Sequence, residues 1–105
     1  MNMNEYLTLA MRMNASDLHM TVGLPPLVRI NGTLQALDDH LVTPEETEKI
    51  AFDMLDTHLH EHLRKHGEYD FSYVIPHVSR FRVNIFRQRK SYAIAARVIR
   101  LELPT

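Results

Sequence analysis

The chain contains no cysteine, and only three glycines in 105 residues. Without cysteine there is neither a disulfide framework nor a thiolate zinc site, which fits a reducing compartment such as the cytoplasm. Gly23, Gly32 and Gly67 stand far apart, so no glycine-rich string ending in Lys-Ser or Lys-Thr exists whose backbone amides could cradle a phosphate. A GxSxG elbow is missing as well. The carboxylates fall on expected exposed helix faces, and no catalytic machinery is expected in this chain. No segment approaches the ~18 apolar residues of a membrane span, and the start, MNMNEYLTLAMRMNASD, lacks a basic stretch followed by an apolar run. The chain is therefore expected to be neither exported nor membrane-spanning.

What is present is enough for one self-sufficient domain. The composition is 45% hydrophobic and 24% charged, and a chain of this length buries a core without a metal or disulfide staple. The formal charge of −1 hides an asymmetry. Between Asp38 and Asp70 Asp and Glu far outnumber the basic side chains, which are Lys49, Arg64 and Lys65. From Arg80 to Arg100 the charges are Arg80, Arg82, Arg87, Arg89, Lys90, Arg97 and Arg100, with no acid among them, so an anion-binding face is expected there.

Periodicity divides the chain into alternating blocks. Met3, Tyr6, Leu7, Ala10 and Met13 recur at helical spacing, with Asn14 as a residue that tolerates a left-handed cap. Leu18, Met20 and Val22 alternate with Asp17, His19 and Thr21 as in a half-buried strand that Gly23 and the prolines stop. Leu27 to Ile30 and Thr33 to Leu37 flank Asn31-Gly32, the dipeptide best suited to a two-residue hairpin turn. Thr43-Pro44-Glu45-Glu46 reads as a capping box opening a helix whose buried stripe is Ile50, Ala51, Met54 and Leu55. After a break near Asp56-Thr57, a second helix carries Leu59 and Leu63 to Gly67. Two longer strands follow, Tyr69 to Ile75 and Arg80 to Ile85 and beyond, and a last one runs from Ser91 to about Ile99. The order α-βββ-αα-βββ with hairpin links predicts an antiparallel sheet with helices on one face, the α+β class.

The last two strands also predict a register. With the turn centred on Arg89-Lys90, Phe81 faces Val98, Val83 faces Ala96 and Ile85 faces Ile94 on one apolar face. The opposite face then places Arg82 against Arg97 and Asn84 against Ala95. Like charges directly opposed cost on the order of 1 kcal/mol at surface dielectric. An anion held between the two arginines removes that repulsion; splaying of both into water is the alternative. A second cluster is His58, His62 and His66, at i, i+4 and i+8. Such spacing can hold a metal, but with no carboxylate behind the imidazoles the preferred reading is solvated histidines and no metal. His19, on the outer face of its strand, is expected to be a hydrogen-bonded structural or interface residue.

Ala15-Ser16-Asp17-Leu18-His19, Gly23-Leu24-Pro25-Pro26, Arg29-Ile30-Asn31-Gly32, Asp70-Phe71-Ser72 and Arg80-Phe81-Arg82-Val83-Asn84 appear in an order and spacing that resemble the PilT-like retraction ATPases of type IV pili, including PilU-like members of this secretion-ATPase superfamily. Arg97-Val98-Ile99 and Leu103-Pro104-Thr105 extend the resemblance over nearly the whole chain. It implies a PAS-like N-terminal domain over residues 1–100, with residues 101–105 starting a linker to a RecA-like ATPase domain that would bind ATP and Mg. It further implies a cytoplasmic homo-hexamer at the inner face of the cytoplasmic membrane, working against an inner-membrane pilus platform protein in twitching motility. Arg82 and Arg97 match family arginines that reach toward the nucleotide phosphates. One departure is Lys90, where family members commonly carry glycine in the tight turn, so a wider loop is expected as an option.

Two other functional classes are open to the same residues. The basic residues interleave with Phe81, Phe86 and Tyr92 in the manner of a single-stranded nucleic-acid binder. Against this, the predicted register points Phe81 inward and the rest of the chain is acidic. A ligand-sensing PAS-like module is the other class, and it needs an internal cavity.

Overall fold

The computed structural model describes residues 1–100. Helix α1 (Met3–Arg12) begins at a capping box in which the Asn2 side chain accepts from the Glu5 amide and the Glu5 carboxylate accepts from the Asn2 amide. This pairing closes two of the amides a helix start leaves open. Asn14, at φ 61°, turns the chain out of α1 and into strand β1 (Asp17–Met20), which leads to the hairpin of β2 (Leu27–Ile30) and β3 (Thr33–Ala36). Asn31 and Gly32 both have positive φ, 50° and 79°, as a type I′ turn requires. Helix α2 (Pro44–Asp53) starts with the expected capping box between Thr43 and Glu46 and with Pro44 in its first turn. A 3₁₀ turn (Thr57–Leu59) and helix α3 (His60–His66) follow, ended by Gly67 at φ 75°. Strands β4 (Glu68–Ile75), β5 (Ser79–Gln88) and β6 (Ser91–Ile99) complete the described residues. The expected linker at 101–105 lies outside the described residues.

Among the described residues, six strands form one antiparallel sheet in the order β3-β2-β1-β6-β5-β4. Strands β1 and β6 are neighbours, with Leu18 opposite Ala96 and Met20 opposite Ile94. That pairing welds the two three-stranded halves into one sheet. Its inner face supplies Leu18, Met20, Val28, Phe81, Val83, Ile85, Ile94 and Ala96, all fully or almost fully buried, to a core closed by Leu7 and Ala10 of α1, Ala51 of α2 and Leu63 of α3. The α+β class and the element order match the sequence expectation. In α2 the buried side also includes Thr47, whose hydroxyl donates to the Pro44 carbonyl at 3.1 Å. Ile50 and Met54 are only half-buried. Strand β1 ends at Met20, two residues short of the alternation in the sequence, because the chain turns at once, with the Leu24 amide donating to the Thr21 carbonyl at 3.2 Å and Gly23 at φ 88°.

Candidate functional site: an arginine pair on the open sheet face

The β5–β6 hairpin has the predicted register at every named position: Phe81 opposite Val98, Val83 opposite Ala96, Ile85 opposite Ile94, Arg82 opposite Arg97 and Asn84 opposite Ala95. The turn stays tight, with Gln88 opposite Ser91, so Arg89 and Lys90 form a two-residue loop and no wider one opens. Because side chains alternate between faces, fixing Phe81, Val83 and Ile85 in the core forces Arg82 and Arg97 outward on the face away from the helices.

Neighbouring strands complete that face. The register aligns Arg29 of β2 with Asp17 of β1, Asp17 with Arg97, Arg97 with Arg82, and Arg82 with Ser72 of β4. His19, Asn84 and Asp70 lie one step along, and with Asp17, Arg29, Arg82 and Arg97 they line an open depression of about 780 Å³. Ala95, between His19 and Asn84, keeps its floor low.

Charge on this face is more mixed than the 80–100 stretch alone implies. Arg82 Nε donates to Asp70 Oδ1 at 2.7 Å, so a carboxylate from β4 already relieves part of the arginine–arginine repulsion. Both side chains are more than half exposed, 59% and 51%, which leaves the pair screened by water and Arg82 accessible; a buried pair would have withdrawn it. This hydrogen bond holds the Asp70 carboxyl below the usual carboxylate range and raises Arg82 further. On the other flank, Asp17 Oδ2 accepts from His19 Nε2 at 2.9 Å and from Arg29 Nε at 3.3 Å. Burial works to raise Asp17, but hydrogen bonds from the Ser16, His19 and Arg29 side chains outweigh it, and the net shift is downward. His19 is thus a hydrogen-bonded member of the face. Arg97 makes no ion pair among the described residues, although Asp17 is its β1 neighbour.

The roles of Asp17, Arg29 and Asp70 in this face were not read from the sequence. Their signal was present, since Asp17 and Asp70 both fall in the outward phase of their strands. Using it requires the strand order, which sets β1 and β4 on either side of the hairpin.

The histidines disperse. His58 sits in the 3₁₀ turn, outside α3, so the three residues do not share one helical face. His62 and His66 are together, with ring centroids 4.4 Å apart, and His62 meets Tyr69 edge-on. Among the described residues no three metal-ligating side chains converge. Phe81 is fully buried, which removes one ring from any base-stacking platform. Tyr92 is buried as well, under Arg87, which donates to its hydroxyl at 2.9 Å.

No established family model matches the chain. It is 30% identical over 99 residues to the type IV pilus retraction ATPase PilT of Pseudomonas aeruginosa, covering 94% of this chain and 29% of that protein. It is 27% identical over 105 residues to the type IV pilus ATPase PilU of the same organism, covering 100% of this chain and 28% of PilU. The crystal structure of a pilus retraction motor PilT with bound ADP superposes with a TM-score of 0.89 at 35% identity, over 99% of this chain and 31% of that one. The chain therefore spans less than a third of the length of the relatives it matches.

Proposed function

From a chain homologous to the N-terminal domain of the PilT-like type IV pilus retraction ATPases, we propose the N-terminal domain of a hexameric retraction motor. Residues 1–100 form the PAS-like domain and residues 101–105 lead toward a RecA-like domain. That domain would bind ATP and Mg and supply the hydrolytic chemistry. The present chain supplies two guanidinium groups at a junction between subunits, where Arg82 and Arg97 contact the nucleotide's terminal phosphate. Movement of this domain against the ATPase domains then couples hydrolysis to pulling at an inner-membrane platform, on the cytoplasmic side.

The observation that carries this reading is the rung pairing of Arg82 with Arg97 on the open sheet face. Two planar forks at one spot match phosphate oxygens in a way that a lysine pair does not. They fit an anion because Arg97 has no carboxylate partner among the described residues and Arg82 is held only by an exposed one. An arginine that neutralises charge developing in phosphoryl transfer contributes on the order of 10³-fold or more to turnover. Replacing Arg82 or Arg97 with Ala in the full-length motor should therefore lower ATPase turnover by orders of magnitude, with folding intact. Lysine at either position should restore only part of it. Wild-type turnover in Arg97→Ala would remove the assignment.

A further inference from the structure

We propose that Asp70 is a built-in competitor for Arg82, occupying its guanidinium in the resting domain and giving way when a multiply charged phosphate reaches the arginine pair. The inference rests on the phosphate-contacting reading of Arg82 and Arg97 and assigns that site its selectivity. Although the two arginines share one rung, they are not equivalent. Arg82 is engaged by Asp70 at 2.7 Å. The acid beside Arg97, Asp17, has its Oδ2 taken by His19 and Arg29. An arriving anion thus meets Arg97 first, and recruits Arg82 only by outcompeting a carboxylate.

The details of the Asp70 contact make that exchange selective. It uses Arg82 Nε alone, and the Nη groups have no acceptor among the described residues. A carboxylate contributes one negative charge. A terminal phosphate carries between one and two and presents three acceptor oxygens, enough to engage the fork of Arg82 and that of Arg97 together. A monoanion such as acetate would only replace one carboxylate by another and gains nothing. The exchange also disturbs no packing: Asp70 lies on β4, which is the edge of the sheet, and its side chain is about half exposed.

The test is a titration of this chain with pyrophosphate, and separately with acetate, at low ionic strength, following the arginine Nε–Hε resonances. In the wild type, pyrophosphate should move the Arg82 Nε–Hε signal away from its Asp70-bonded position, and acetate should not. Asp70→Asn should bind pyrophosphate about three- to tenfold more tightly, the effect of removing one negative charge roughly 5 Å away in a high-dielectric setting. Asp70→Ser should change affinity in the same direction, and Arg97→Ala should weaken binding in either background. Equal or weaker binding by Asp70→Asn would show that Asp70 positions Arg82 instead of competing for it, and would overturn the proposal. So would the absence of any pyrophosphate-dependent shift of Arg82. The motor reading fails separately: an intact pyrophosphate exchange alongside undiminished ATPase in full-length Arg82→Ala would remove that reading and leave the competition standing.

Discussion

His60 shows how much a single side chain contributes here without belonging to any site. Just past the end of α2 the Leu55 amide reaches the Phe52 carbonyl at a long 3.3 Å, and His60 Nε2 lies 2.7 Å from that carbonyl and 3.0 Å from that of Leu55, in the turn beyond the helix. Both partners are acceptors only, so Nε2 must carry the proton, and the ring packs edge-on against Phe52 at 5.1 Å. His60→Ala should therefore cost about 1–2 kcal/mol of stability in a denaturant titration, while His58→Ala stays within about 0.5 kcal/mol. Equal values for the two would rule out that contribution. This role was invisible in the sequence because the acceptors lie five and eight residues back, across the break between helices. Tyr6 offers a second residue-scale test, set by pH. Its hydroxyl donates to Asp38 Oδ2 at 2.9 Å, and burial, with Asp38 close by, pushes the phenol up to about 12 from an ordinary value of 10. A pKa raised by folding gives stability that is complete below the unfolded value and is lost as pH rises through the folded one. Wild-type stability should thus fall between about pH 10 and pH 12, and the fall should be shallower in Tyr6→Phe; parallel curves would contradict the assignment.

Among the elements, the β5–β6 hairpin was the most legible, since only one register keeps Phe81, Val83 and Ile85 against Val98, Ala96 and Ile94, and a one-residue slip would turn all of them to water. What pattern alone left open was the turn. The structure keeps a two-residue loop in which Arg89, at φ 61°, takes the left-handed conformation and Lys90 does not. A non-glycine residue pays roughly 1 kcal/mol there. Arg89→Gly should consequently raise stability, by up to about 1 kcal/mol, whereas Lys90→Gly should lower it slightly by loosening the unfolded chain. Thermal melts of the two variants moving in the same direction would show the loop strain to be misplaced. The helix starts were legible for a similar reason: in Thr43-Pro44-Glu45-Glu46 the side chains that close the orphan amides are within four residues of one another. The composition of the arginine face was not, because its carboxylates arrive from β1 and β4, more than ten residues from either arginine along the chain.

At the scale of the whole molecule, the β1–β6 ladder joins residues 17–20 to residues 94–97, a pairing that no local pattern announces, and it decides which strands are left as edges. A sheet that ended at β6 would expose a nine-residue, largely apolar strand; covering it with β1 leaves β3 and β4 outermost. Edge strands invite pairing with another chain unless they are short, charged or interrupted. Strand β3 has only four residues, all exposed. Strand β4 is longer, but it carries Glu68 and Asp70 on its exposed phase and runs into Pro76 and a His77 of positive φ. The remaining exposed apolar side chains include Leu24, Leu34, Leu41 and Val74. Leu34 sits on β3 at one edge of the sheet and Val74 on β4 at the other, so these exposed side chains are divided between opposite edges. The isolated chain should therefore be monomeric at micromolar concentration by light scattering, with ring contacts in the proposed motor made between this domain and ATPase domains. A dimer or hexamer that persists on dilution would show that one of these edges, or the arginine face itself, pairs with a second copy.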